Sequence, residues 1–172
     1  MNKDTFISIK ESLLDGKVKL KKADIEQYNL EAELLLAFVL GKSREYLFTH
    51  PEQKIDQISR AKFHDLLEKR WQGAPLAYLT GKKEFYGLEF SVNRKVLIPR
   101  PETELLVEEV LFYLDNKKSP FHVGILDVGT GSGCIPISIL KNSGINIKRV
   151  TAIDSQEEPL RLAYINSVTY GV

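Results

Sequence analysis

The chain has 172 residues, and its 24 Lys and Arg residues nearly balance its 23 Asp and Glu residues. A net charge of +1 gives no broad field that would attract nucleic acid or an anionic membrane, so we expect partners to bind at a specific site, without direct contact to DNA. One cysteine excludes an internal disulfide, and three scattered histidines lack zinc-ligand spacing, so we predict no metal site. The sequence has no signal-peptide pattern and no apolar run of membrane-spanning length, which predicts a cytoplasmic protein without a membrane partner.

Residues 1–74 are predicted to form a small helical domain. The first helix is expected to open at Thr5, and Gly41 is expected to end a second, amphipathic helix. The apolar stripe of that second helix consists of Leu30, Leu34, Leu35, Phe38 and Val39. Ser43 and Asp56 are predicted N-caps of two further helices. The inner side of the last helix is predicted to contain Ile58, Ala61, Leu66, Leu67 and Trp71. Such a bundle has no chemistry of its own, and we interpret it as a domain that recognises a macromolecular substrate.

The apolar pattern changes from helical to alternating between Leu76 and Ile98, which predicts a β-hairpin or small meander. We expect this segment, residues 75–98, to be a linker between domains. A proline-rich start then leads into a helix, and Glu102 is interpreted as an acid that complements the positive end of that helix. The apolar face of the helix is predicted to contain Leu105, Leu106, Val110, Leu111 and Leu114.

A strand, a glycine loop and a helix follow one another over residues 122–140. The loop glycines Gly129, Gly131 and Gly133 have no Cβ, so a ligand can lie directly against the main chain and the N–H groups that open the helix. The dinucleotide fingerprint would require Gly or Ala at the position of Cys134. The observed G-x-G-x-G spacing is instead the usual first motif of methyltransferases that use S-adenosylmethionine.

Two carboxylates accompany this loop. A second strand, predicted over 149–154, ends in Asp154, about 20 residues after the loop, where an acidic residue meets the ribose hydroxyls in nucleotide-binding βαβ units. Asp127 lies inside the first strand. Its sequence position allows two roles, acceptance of N–H groups that stiffen the loop or contact with the ligand.

Four segments of the chain carry a resemblance to one enzyme family. They are Gly73-x-Pro75-x-x-Tyr78-x-x-Gly81, Phe85-Tyr-Gly-Leu-Glu-Phe-x-Val92, Leu97-Ile-Pro-Arg-Pro-Glu-Thr-Glu104 and Asp127-Val-Gly-Thr-Gly-Ser-Gly-Cys-Ile135. Together they resemble the glutamine N5-methyltransferases of peptide chain release factors, over about residues 5–172. The resemblance implies an α/β protein with an N-terminal helical bundle, a β-hairpin linker and, over 99–172, the first part of a class I, Rossmann-like methyltransferase domain. It also implies transfer of a methyl group from S-adenosylmethionine to the glutamine of the Gly-Gly-Gln motif of release factors.

The same resemblance implies the cofactor site residue by residue. Around the methionine part of the cofactor it places Gly129, Thr130, Gly131, Ser132 and Gly133. Asp154 would bind the ribose, and Arg100, Thr103 and Glu104 would line the pocket from the preceding helix. The chain departs from the family at Ser155, where Ile is common, and at Pro136 in the helix after the loop.

The catalytic Asn-Pro-Pro-Tyr loop of the family is absent, since no two prolines are adjacent in the sequence. We therefore predict no catalytic residue in this chain and expect it to be the N-terminal part of such an enzyme, inactive by itself, with an incomplete methyltransferase domain. Two alternatives remain open at this point. One is a related methyltransferase that acts on a nucleobase or another planar amino group, and the other is a non-catalytic fragment.

Overall fold

The computed structural model describes residues 7–116, 123–145 and 147–172. Two details of the sequence predictions lie outside these ranges, namely the start of the first helix at Thr5 and the first position of the predicted strand, His122. The chain divides into two compact units between Thr80 and Gly81. None of the helices within the described ranges combines the length and the apolar character that a membrane span requires.

The first unit is built from five helices and one short antiparallel pair of strands. The helices are α1 (Ile9–Lys22), α2 (Tyr28–Leu40), α3 (Arg44–Thr49), α4 (Gln57–Trp71) and α5 (Leu76–Thr80), and the strands are β1 (Ile7–Ser8) and β2 (Lys54–Ile55). The prediction of extended structure from Leu76 onward is wrong at its start, because residues Leu76–Thr80 form the helix α5. A five-residue segment is too short for apolar spacing to distinguish a helical turn from a strand.

Local capping defines the ends of these helices. Ser8 forms a capping box with Glu11, in which the Ser8 Oγ accepts from the Glu11 N–H at 3.2 Å and a Glu11 carboxylate oxygen accepts from the Ser8 N–H at 2.7 Å. Ser43 caps α3 and Asp56 caps α4, as predicted. Gly41 ends α2 in the left-handed conformation, with φ of 60°, which confirms the predicted stop.

The buried faces of α2 and α4 differ from the predicted ones. The core of the first unit is formed around Leu35, Leu36, Phe63 and Leu67, among other residues. Phe38, Ile58 and Trp71, which were predicted to face inward, are 47%, 69% and 51% exposed. In an apolar-rich helix such as α2, more than one face could be buried according to the spacing of its apolar residues. Packing against α1 and α4 determines which face is buried.

The second unit combines an antiparallel hairpin with a parallel strand pair and three helices. Its elements are β3 (Lys82–Phe85), β4 (Leu88–Ser91), a 3-10 helix (Pro101–Thr103), α6 (Glu104–Asn116), β5 (Val123–Val128), α7 (Cys134–Asn142), β6 (Ile147–Ile153) and α8 (Glu157–Tyr170). β5 and β6 pair in parallel, with Val128 opposite Ile153. The predicted strand–loop–helix–strand unit is therefore present.

The core of the second unit joins the hairpin to α6 and α7. It contains Phe85, Phe90, Val107, Leu114, Cys134, Ile137 and Ile139. The predicted inner face of α6 is wrong at two positions. Leu105 and Leu106 are exposed, and Val107 is buried in their place. Residues 96–98 form no third strand, so the segment is a hairpin and not a meander. One face of the parallel pair is open, and Leu126, Val128 and Ile153 are exposed on it.

A buried carboxylate links three elements of the first unit. Glu33 of α2 is 6% exposed, and its two oxygens accept hydrogen bonds from Lys17 Nζ and Arg44 Nη2, each at 2.7 Å. Burial by itself raises the pKa of Glu33, but the hydrogen bonds and charges of Lys17 and Arg44 outweigh it, so that the pKa is lowered overall. The carboxylate therefore stays ionised inside the helical unit.

At pH 7 we expect Glu33→Gln to lower the free energy of unfolding by about 1.5–3 kcal/mol, a typical contribution of hydrogen bonds to a charged group. Because the folded pKa is lowered, this stabilisation is present above the ordinary value of 4.5 and is lost as the pH falls through the folded value. Urea unfolding at a series of pH values should show the wild-type advantage shrinking in acid. The control is Glu52→Gln, which changes an exposed ion pair with Lys10 at 3.9 Å and should leave stability nearly unchanged. An advantage of constant size in acid would contradict this role of Glu33.

Candidate functional site

The glycine loop lies where the carboxyl ends of β5 and β6 meet. The N–H groups of Gly129 and Thr130 both donate to the carbonyl oxygen of Ile153, at 2.8 and 3.0 Å, so the loop is attached to the end of the neighbouring strand. The Gly133 N–H donates to the Thr130 carbonyl oxygen at 2.8 Å and closes the loop on itself. The loop therefore has a defined backbone shape at the edge of the sheet where α/β proteins bind their ligands.

The three loop glycines have the left-handed backbone conformation, with φ of 79° at Gly129, 57° at Gly131 and 77° at Gly133. A Cβ at Gly129 or Gly131 would meet no atom of the described residues within 4 Å, so open space adjoins these two glycines there. A Cβ at Gly133 would lie 3.1 Å from both the Ala163 Cβ and the Ile137 Cδ1. Gly129 and Gly131 thus leave room beside the main chain, whereas Gly133 allows α8 to approach closely.

Asp154 follows the end of β6 and lies directly against the loop. Its Oδ2 accepts a hydrogen bond from the Gly131 N–H at 3.0 Å, and its Oδ1 accepts from the Gln156 N–H at 3.1 Å. These bonds, first that from Gly131 and then that from Gln156, lower the pKa of the Asp154 carboxyl. The carboxylate is therefore ionised at neutral pH, and it keeps further lone pairs for a ligand.

Two buried polar atoms beside the loop have no hydrogen-bond partner in the described part of the chain. They are Oδ2 of Asp127 and Oγ1 of Thr130, and Oγ of Ser132 within the loop is a third such atom. A buried oxygen without a partner costs about 1–3 kcal/mol, so each such atom needs an explanation, such as a bound water, an ion or a ligand. Which of the two roles Asp127 has stays a prediction.

Cys134 and Pro136 occupy the first turn of α7, which has Gly133 as its N-cap. The Cys134 thiol packs in the core, and burial raises its pKa. Pro136 is buried at a position where a helix does not need a backbone donor, so this departure from the family pattern is compatible with the helix. Gly133 provides no side-chain cap, and the first N–H groups of α7 have no partner inside the helix.

Thr103 and Glu104 form hydrogen bonds with residues outside the glycine loop. A Glu104 carboxylate oxygen accepts a hydrogen bond from the Tyr86 N–H at 3.0 Å, in the turn of the hairpin. The Thr103 N–H donates to the Arg100 carbonyl oxygen at 3.0 Å, and the Arg100 side chain is exposed. Glu104 thus stabilises a turn in which Tyr86 has a φ of 51°. A cofactor-binding role for Arg100, Thr103 and Glu104 stays a prediction.

Sequence reasoning assigned no role to Asn166 of α8, yet this side chain is 1% exposed and touches the loop. Its Nδ2 donates to the Ser132 carbonyl oxygen at 2.8 Å. The sequence contains one indication of this burial. Asn166 follows Leu162 and Ala163 by four and three residues, a spacing that places it with them on the inner face of the helix. A polar residue at such a position has to find hydrogen-bond partners.

Alanine at Gly133 should destabilise the chain more than alanine at Gly129. Both changes place a Cβ at positive φ, which costs about 1–2 kcal/mol. Only Gly133→Ala also forces the new Cβ against Ala163 and Ile137, and overpacking adds about 1–3 kcal/mol. Thermal unfolding followed by circular dichroism compares the two variants. Equal losses would contradict the assignment of Gly133 to helix packing.

Comparisons with known proteins fit these features. Residues 11–81 match the family model described as the PrmC N-terminal domain. A release factor glutamine methyltransferase of Koribacter versatilis is 40% identical over 163 residues, which is 94% of this chain and 56% of that protein. One of Clostridium botulinum is 42% identical over 164 residues, which is 95% of the chain and 56% of that protein.

A bifunctional methyltransferase of Rickettsia bellii is 35% identical over 188 residues, covering 96% of this chain and 34% of that protein. The chain thus spans about half the length of the release factor methyltransferases that it matches. Within that span, the comparisons confirm the resemblance that the sequence motifs carry: the chain is related, over nearly its whole length, to the release factor glutamine methyltransferases.

Proposed function

We propose that the chain acts within an S-adenosylmethionine-dependent methyltransferase that methylates N5 of the glutamine in the Gly-Gly-Gln motif of peptide chain release factors. In this proposal the second unit is the first part of a class I, Rossmann-like domain. The observation that carries it is the glycine loop joined through the Gly131 N–H to the carboxylate of Asp154. The names and similarity of the relatives support the choice of substrate.

The residues around the loop fit this cofactor. The ionised Asp154 suits the two ribose hydroxyls, because its carboxylate can accept hydrogen bonds beyond those from Gly131 and Gln156. The buried, unpartnered Oδ2 of Asp127 suits the ammonium group of the methionine part. Open space beside Gly129 and Gly131 lets a ligand lie against the main chain.

S-Adenosylmethionine supplies an electrophilic methyl group on a positively charged sulfur. A glutamine side-chain nitrogen is a weak nucleophile, because its lone pair is delocalised into the carbonyl. Transfer therefore depends on holding that nitrogen in line with the methyl group and the sulfur, and orientation of this kind supplies about 7–11 kcal/mol in favourable cases. In the proposal the residues of this chain hold and orient the cofactor, and none of them is assigned to the transfer step.

The helical unit is proposed to contact the release factor. It has a hydrophobic core of its own around Leu35, Leu36 and Phe63. On α1, Leu14 and Val18 are 65% and 46% exposed and lie one helical turn apart, so they form a shared apolar surface. We assign this pair to the proposed contact with the release factor.

Binding of S-adenosylmethionine to the chain tests the cofactor site. We expect Asp154→Asn to weaken binding about tenfold, since it removes the charge that strengthens hydrogen bonds to the ribose. Isothermal titration calorimetry measures both affinities. The matched control is Glu157→Gln, an exposed acid in the first turn of α8 that pairs with Arg161. Equal affinity of the wild type and Asp154→Asn for S-adenosylmethionine would show that Asp154 does not contribute to cofactor binding.

Methyl transfer tests the substrate. With methyl-labelled S-adenosylmethionine, the methyltransferase within which this chain is proposed to act should label a release factor at the glutamine of Gly-Gly-Gln, and a release factor with Asn at that position should stay unlabelled. Leu14→Ser together with Val18→Ser should raise the KM for the release factor and leave cofactor affinity unchanged. Label found in nucleic acid, with none in the release factor, would favour a nucleobase substrate and overturn the proposal.

A further inference from the structure

Asn166 makes hydrogen bonds to two separate segments of backbone in the second unit. Its Oδ1 accepts from the Ser91 N–H at 2.9 Å, and its Nδ2 donates to the Ser91 carbonyl oxygen at 3.1 Å. Ser91 is the last residue of β4, so the side-chain amide of Asn166 pairs with the end of this strand as a neighbouring backbone would. The second Nδ2 hydrogen goes to the carbonyl oxygen of Ser132 in the glycine loop, at 2.8 Å.

The amide of asparagine is suited to this position in a way that other side chains are not. Both of its N–H bonds and one oxygen lone pair are used, in a place that is 1% exposed. Aspartate would bring a carboxylate against two carbonyl oxygens. Alanine would leave the N–H of Ser91 and the carbonyl oxygens of Ser91 and Ser132 without this partner.

Two further side chains attach the same hairpin to the helices of the second unit. Glu104 accepts from the Tyr86 N–H in the hairpin turn, and the Tyr170 hydroxyl donates to the Glu89 carbonyl oxygen at 2.8 Å. Of these three attachments, the one through Asn166 includes the glycine loop. Asn166 therefore couples the placement of the hairpin to the shape of the loop.

We infer that Asn166 is a positioning residue for the S-adenosylmethionine site, an inference that rests on the proposed function. The Ser132–Gly133 peptide is followed by the φ torsion of Gly133, which is 77°, and glycine accepts either sign of φ with little cost. The bond from Asn166 to the Ser132 oxygen restrains rotation of this peptide from its carbonyl side, and the bond from the Gly133 N–H to the Thr130 carbonyl oxygen restrains it from the other side. A loop that is already ordered loses less conformational entropy when the cofactor binds.

The test compares Asn166→Ala and Asn166→Asp with Tyr170→Phe in the full chain. Tyr170→Phe removes a hairpin bond of similar length and leaves the bond to Ser132 in place. Calorimetric titration with S-adenosylmethionine should show about five- to tenfold weaker binding for both Asn166 variants and wild-type affinity for Tyr170→Phe. In the ligand-free proteins, the amide NMR signals of Gly131 and Gly133 should shift or broaden in the Asn166 variants and stay in place in Tyr170→Phe.

Unchanged affinity in the Asn166 variants would overturn the inference, whether or not the glycine signals shift, and so would equal losses in Tyr170→Phe. If the wild-type chain does not bind S-adenosylmethionine, the cofactor site proposed for this chain by itself fails, while the glycine signals still decide whether Asn166 orders the loop. Should Asn166→Ala not fold, Asn166→Ser, which keeps one donor in a smaller side chain, takes its place in both measurements.

Discussion

The parallel pairing of β5 with β6 is the constraint on which the candidate site depends. Parallel strands bring their carboxyl ends to one edge, so the glycine loop after β5 lies beside Asp154 after β6. The pairing continues into the loop, where the Ile153 carbonyl oxygen accepts from the N–H groups of Gly129 and Thr130. The carboxylate of Asp154 then fixes Gly131, so that main chain and side chain together set the shape of the loop.

Side chains that bind backbone groups connect this edge to the rest of the second unit. Asn166 reaches the loop and β4, and Glu104 reaches the turn of the hairpin. The hairpin, which the sequence led us to interpret as a linker, therefore has a network of contacts with the helices next to the candidate cofactor site. These bonds are buried or half-buried, and losing one partner leaves the other unsatisfied, which makes the arrangement specific.

In the helical unit, some features are set by neighbouring residues and others by contacts between distant residues. Its caps are set by residues next to the helix ends, whereas Glu33 is satisfied by Lys17 from α1 and Arg44 from α3, which lie far from it in the sequence. A buried carboxylate with two cationic partners keeps these elements in one arrangement, because a different packing would leave a charge unpaired inside the unit. Leu14 and Val18 of α1 are exposed outside this core.

The sequence by itself determined the features that depend on neighbouring residues: the caps at Ser43 and Asp56, the helix stop at Gly41, and the strand, glycine loop and helix that end with a carboxylate on the next strand. These follow from local backbone chemistry and from spacing over one βαβ unit. Only the tertiary structure decided which helix faces are buried, as the exposure of Phe38, Ile58 and Leu105 illustrates. It also decided that Asn166 joins Ser91 to Ser132, because residues so distant in the chain meet only when helices and strands pack, and spacing along one element carries no information about that partner.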